Sequence, residues 1–166
     1  MRILGIDPGI AIVGYGIVNK IGNRIEPVAY GKITTPSSIP VSERLYIISQ
    51  ELAVIIKDTH PEAVAIEKLF FNKNTKTAMN VAEARGAIQL TVSMNGLPVS
   101  EYTPLQVKQA VCGWGGAEKK QVQSMVRALL SLKEVPKPDD VADALAIAIC
   151  HAESYLLSQK IKEYLR

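Results

Sequence analysis

The sequence predicts an α/β fold, a five-stranded mixed sheet covered by helices. Residues 2–34 hold three β-rich runs joined by tight turns, the pattern of an antiparallel meander. From residue 41 onward, helical runs alternate with short apolar strands, which adds helix-covered strands to that meander. The chain has 166 residues, 48% of them hydrophobic, which suits one buried core and a single domain over 1–166.

Each element follows from its residues. Residues 2–6 form an apolar run that stops at the turn signal Asp7-Pro8-Gly9. Residues 11–19 are β-rich, and Gly14 and Gly16 weaken any helical reading there. After the Gly22-Asn23 turn, residues 24–34 alternate loosely and make a third strand. Val41, Leu45, Ile48, Leu52, Ile55 and Ile56 share one face of a helix over 41–57. Residues 62–67 read as a fourth strand flanked by carboxylates. A polar loop over 72–75 leads to a helix over about 77–95, ended by Asn95-Gly96, and residues 97–102 make the fifth strand. The remainder is helical over 104–112, 118–132 and 138 to about 158, with breaks at Gly113-Trp114-Gly115-Gly116 and at 133–138.

Several classes are excluded. A disordered chain would be poorer in Leu, Ile and Val and more highly charged. No apolar run approaches the ~18 residues of a membrane span, so no membrane partner is expected. The first residues lack a signal peptide's long apolar stretch. Cys112 and Cys150 fall in apolar helical segments and read as buried reduced thiols, so a cytoplasmic location is expected.

Four carboxylates stand out by position. Asp7 ends the first strand and Glu67 the fourth, while Asp140 and Asp143 lie three apart near the start of the last helix, on one face. Acidic residues in a first helical turn commonly serve the macrodipole or a cap, and Asp139 is open to that reading. Strand-end acids are often solvated loop residues. Those readings leave the coincidence of all four unexplained. If the first and fourth strands are neighbours, Asp7 and Glu67 emerge side by side, and a helix start packed on that edge adds the other two. Such a crowd repels itself unless hard cations are present. Mg²⁺ takes one or two carboxylates plus phosphate oxygens, and two ions ~3.5–4 Å apart clamp an in-line phosphoryl displacement.

The motifs then resemble those of a known family. Gly5-Ile6-Asp7-Pro8-Gly9, Ala65-Ile66-Glu67 with Phe70 after it, Ala82-Glu83-Ala84-Arg85-Gly86, Gln106-Val107-Lys108-Gln109, Ala117-Glu118-Lys119 and Asp140-x-x-Asp143-Ala144-Leu145-Ala146-Ile147-Ala148 occur in order over nearly the whole chain. This set resembles the RuvC family of Holliday-junction resolvases, in the ribonuclease-H-like superfamily. The resemblance implies a ribonuclease-H-like sheet and a homodimeric endonuclease that makes paired nicks at four-way junction DNA, acting in recombination and repair. It implies Mg²⁺ as cofactor, with Mn²⁺ as a substitute and two ions per site. Asp7, Glu67, Asp140 and Asp143 match the family's four metal-binding, catalytic positions, of which Asp140 is the most replaceable. The branch-migration proteins RuvA and RuvB are the implied partners, and the helix over 77–95, small and apolar over much of its circumference, is the implied pairing helix.

Charge splits unevenly along the chain. Residues 68–137 hold ten basic and four acidic residues, net +6, while the rest hold nine basic and twelve acidic, net −3. A cationic stretch beside metal-loaded carboxylates suits a phosphate-backbone substrate. Any one of these lysines taken alone, Lys76 included, reads better as part of an ordinary solvated helix face. Lys108 and Lys119 match basic positions that the family places near the scissile phosphate, with Lys120 adjacent. The chain's two phenylalanines, Phe70 and Phe71, are consecutive. The family match gives Phe70 a stacking role on a splayed base, and anchoring of the loop is the alternative. Trp114 either packs on the domain or touches DNA, and the sequence leaves both open. The glycines around it lack Walker spacing, which excludes a P-loop. His60 and His151 have no ligand spacing to the carboxylates and read as structural. An actin-like ATPase is disfavoured by the short chain, and a non-catalytic junction-binding module is the remaining alternative.

Overall fold

The sheet is ordered by where apolar side chains alternate. In the computed structural model, which describes the backbone of residues 1–68 and 75–164 and the side chains of 1–68 and 78–155, five strands run β3-β2-β1-β4-β5. They are β1 (Arg2–Asp7), β2 (Ile12–Ile21), β3 (Arg24–Thr34), β4 (Ala63–Glu67) and β5 (Val99–Tyr102). The helices are α1 (Val41–Thr59), α2 (Thr75–Met94), α3 (Pro104–Cys112), α4 (Lys119–Leu129) and α5 (Asp139–Tyr164). The meander pairs antiparallel, whereas β4 joins β1 and β5 joins β4 in parallel. The mixed sheet read from the sequence is therefore present.

Side chains two apart point to the same face of a strand. On β1, Leu4 and Ile6 enter a core with Ile48, Leu52 and Ile56 of α1 and Ala84, Ile88 and Val92 of α2. Ile3 of β1 and Ala65 of β4 face the opposite way, into a second core built by α3, α4 and α5. The same alternation carries Asp7 and Glu67 to the α5 side. Parallel register aligns Ile6 with Ile66, so Asp7 and Glu67 come next, side by side.

Close approach of α5 depends on missing side chains. Gly5 pairs with Gly16, and Asp7 pairs with Gly14. A Cβ on Gly5 would lie 2.1 Å from the Ala144 carbonyl oxygen, and one on Gly14 would lie 1.9 Å from that of Asp140. At Gly16 a Cβ would meet the Leu145 side chain at 2.6 Å. These glycines do more than disfavour a helix. They let the start of α5 press onto the strands that carry the acidic edge, where Ala144, Leu145 and Ala148 are fully buried.

Element ends differ from the sequence reading by a few residues. Leu97 donates its N–H to the Val92 carbonyl at the end of α2, so β5 starts at Val99 rather than at 97. Glu118 is the N-cap of α4 rather than its first residue, and α4 stops at Leu129. His60 closes α1 with a left-handed φ of 48°. His151 is buried, its Nδ1 2.9 Å from the Tyr102 hydroxyl, which ties α5 to β5. Cys112 and Cys150 are free thiols, and Cys150 is buried. Among the described residues no helix is long and apolar enough to cross a membrane.

Candidate active site

Three elements and two short helices converge at the carboxyl ends of β1 and β4. A cleft of about 290 Å³ is lined there by Asp7, Glu67, Asp143, Lys108 and Lys119, with Pro104, Val107, Val122, Ala146 and Ile147 as its apolar wall. Asp7 and Glu67 arrive as strand ends, and Asp143 arrives from the first turns of α5.

The lysines are aimed by capping. Thr103 and Gln106 form a reciprocal capping box: the Gln106 N–H donates to Thr103 Oγ1 at 3.1 Å, and the Thr103 N–H donates to Gln106 Oε1 at 2.8 Å. With Pro104 at the first helical position, this fixes the start of α3 and directs Lys108 one turn on into the cleft. At α4 the Glu118 N–H donates to Gln121 Oε1 at 2.8 Å, so Lys119 is the first helical residue. Its Nζ lies 3.1 Å from Asp143 Oδ2 and 3.3 Å from Asp139 Oδ2.

The electrostatics are those of negative charge under compression. Burial pushes the Asp7 carboxyl up to about 8, reinforced by the charges of Asp143, Glu67 and Asp140, and Lys119 opposes the rise. Glu67 is raised by burial and by Asp143, against Lys119 and Lys108. Asp143 is raised by burial, against its hydrogen bond to Lys119. Asp139 is held low by its hydrogen bond to Lys119. Burial works against the Lys119 ammonium, but its hydrogen bond to Asp143 and the charges of Asp143 and Asp139 raise it.

Of the residues singled out from sequence, Asp7, Glu67, Asp143, Lys108 and Lys119 meet in this cleft. Asp140 does not line it. It acts on Asp7 and Asp143 through its charge from the packed start of α5. Lys120 borders a separate groove with Trp114. Phe70 and Phe71 lie outside the described residues, as does the Lys76 side chain. Two pairings are not visible in the sequence. Asp139 shares Lys119 with Asp143, a contact between helices that spacing along one helix does not reveal. Arg85, counted among the cations for DNA, is instead committed to the protein, with its Nη2 2.7 Å from Glu101 Oε1.

The donor set suits a hard divalent cation. Every candidate ligand offers carboxylate oxygen, and Asp7 resists ionising beside three other carboxylates until positive charge arrives. Among the described residues no three His, Cys, Asp or Glu side chains converge into a ready-made cage. Mg²⁺ requires none, because it keeps several waters and takes one or two carboxylates with substrate phosphate completing its shell.

Residues 3–151 match the family model of crossover junction endodeoxyribonuclease RuvC. The crossover junction endodeoxyribonuclease RuvC of Desulfitobacterium hafniense is 58% identical over 161 residues, covering 97% of this chain and 98% of its own. That of Clostridioides difficile is 56% identical over 162 residues, covering 98% and 96%. The structure of Thermus thermophilus RuvC superposes with a TM-score of 0.88 at 38% identity, covering 95% of this chain and 97% of that one. The T. thermophilus protein in complex with Holliday junction substrate superposes at 0.87 with 37% identity, covering 95% and 96%. The yeast mitochondrial Holliday junction resolvase Ydc2, at 13% identity and a TM-score of 0.64, shares the fold.

Proposed function

The chain belongs to the RuvC family of crossover junction endodeoxyribonucleases, and we propose that the acidic cleft at the ends of β1 and β4 is where it cuts. It is a metal-dependent nuclease that resolves Holliday junctions. The observation that carries the site assignment is the convergence of Asp7, Glu67 and Asp143 with Lys108 and Lys119 in one cleft.

In this reading Asp7, Glu67, Asp140 and Asp143 hold Mg²⁺, with Mn²⁺ able to replace it and two ions per site. The bound cations supply Lewis acidity at the scissile phosphate and lower the pKa of the attacking water. The protein's own groups do the rest. The paired strand ends and the start of α5 hold four carboxylates in fixed positions, so little reorganisation accompanies the reaction. The apolar wall of Val107, Val122, Ala146 and Ile147 limits water beside the reacting phosphate and strengthens each charge there. Lys119, now neutralising Asp143 and Asp139, turns to the non-bridging phosphate oxygens when DNA and cations enter. Lys108 offers a second ammonium from α3, and both stabilise charge that builds on the phosphoryl group. In-line attack of water with departure of the 3′-oxygen leaves a 5′-phosphate and a 3′-hydroxyl, ends a ligase can seal.

Paired nicks on a symmetric junction call for two sites related by a twofold, hence a homodimer of this single nuclease domain. The stripe Met79, Leu90 and Met94 on α2 supports it, because these apolar side chains are 65%, 63% and 78% exposed. Gly86 lies within that stripe, and a Cβ there would meet nothing within 4 Å, which leaves room for a partner helix. RuvA and RuvB are the expected branch-migration partners and the cytoplasm the expected location. Phe70, Lys76 and Lys120 remain the candidate DNA contacts outside the cleft.

The test is incubation with a synthetic four-way junction, a matched duplex and a single strand, each with Mg²⁺ or with EDTA. Symmetric nicks confined to the junction and dependent on Mg²⁺ are expected. Equal cleavage of all three DNAs would point instead to a general nuclease.

A further inference from the structure

The chain's only tryptophan stands at the rim of a second groove. α3 closes at Gly113 with a left-handed φ of 82°, and the turn carries Trp114 outward to 55% exposure. The indole is held in place: a Cβ on Gly116 would lie 2.3 Å from its Cζ3, so the missing side chain lets the ring rest on the loop backbone. A ring fixed before binding loses little freedom on meeting a ligand. The groove holds about 430 Å³, and Cys112, Lys120, Gln121, Ser124 and Met125 line it with Trp114.

That lining has one cation, a hydroxyl, an amide and a flat aromatic face, and it includes no carboxylate. Lys119 and Lys120 are consecutive at the start of α4, yet Lys119 faces the acidic cleft and Lys120 faces this groove. The cleft and the groove therefore adjoin at the start of α4, where one DNA strand can meet both.

Resting on the nuclease reading, we propose that this groove receives a nucleotide of the cleaved strand flanking the scissile phosphate. Trp114 takes the flat face of a base unstacked at the exchange point, and Lys120 takes its phosphate. An apolar protein surface fits less well, because it would cover the Lys120 ammonium without pairing it.

Trp114 reports on its own environment. Its emission is followed as a four-way junction is added in Ca²⁺, while the anisotropy of a labelled junction records binding independently. Emission falling in step with anisotropy is expected. Trp114→Ala weakens junction binding at least about fivefold, the loss of one stacked base, and Trp114→Phe keeps most of the affinity. Saturated anisotropy with unchanged emission, or alanine binding as tightly as the parent, overturns the groove assignment and leaves the nuclease reading standing. No binding of the junction in either signal overturns both.

Discussion

Replacing Asp7 with asparagine removes an ionisable carboxyl from a position that resists ionisation. In the unfolded chain this group titrates near 3.8, whereas in the fold burial and three neighbouring carboxylates push it up to about 8. Between those values the folded protein binds the proton more tightly than the unfolded chain. The cation-free fold therefore loses stability as pH rises from 3.8, and the loss is complete above about 8. At about 1.4 kcal/mol per unit, the gap bounds the cost at about 6 kcal/mol. Entry of water into the open cleft relieves part of it, leaving about 2–3 kcal/mol. Asparagine has the shape of the neutral acid and escapes the cost. In EDTA at pH 8, Asp7→Asn should melt about 4–10 °C above the parent by thermal denaturation. The difference should close as pH falls towards 4. A variant that melts at or below the parent's temperature at pH 8 would refute the account of strain at Asp7.

Further outcomes follow from other contacts. Gly5→Ala forces a Cβ to within 2.1 Å of the Ala144 carbonyl oxygen. It should cost about 1–3 kcal/mol or more, and a melting temperature within a degree of the parent would contradict the docking of α5. Lys119→Ala should slow single-turnover cleavage by about 10²–10³ while junction affinity changes little. Cleavage within threefold of the parent would remove Lys119 from the reaction. Burial pushes the Cys150 thiol up to about 11, so alkylation of the folded protein at pH 8, read by mass spectrometry, should mark Cys112 first. Equal rates at the two thiols would contradict the burial.

The sheet was legible because alternation in short strands is a local property. The strand ends at Asp7 and Glu67 are legible too, given that the first and fourth strands are neighbours. What the chain order hides is direction between elements. Gly14 and Gly16 read as helix breakers, yet their larger role is to admit α5, and that requires knowing which helix crosses them. Lys119 and Lys120 are indistinguishable by charge and differ by about 100° around a helix, so the capped start of α4 decides which one meets the acids. Arg85 contributes to a favourable charge count, but its Glu101 partner lies on β5, beyond the end of α2 and the turn that follows. Asp140 and Asp143 share a face by spacing, and the charge of Asp140 reaches both Asp7 and Asp143 while its backbone presses over Gly14, a contact spacing does not reveal.

The central claim is that these carboxylates, through the cations they hold, cut junction DNA. Single-turnover nicking of a four-way junction by Asp7→Asn in saturating Mg²⁺, with binding followed by anisotropy, tests it most directly. Nicking should fall by at least about a thousandfold, the several kcal/mol that cation-assisted charge stabilisation supplies, while the junction still binds. Nicking at the parent's rate by a variant with Asn at position 7 would contradict the account.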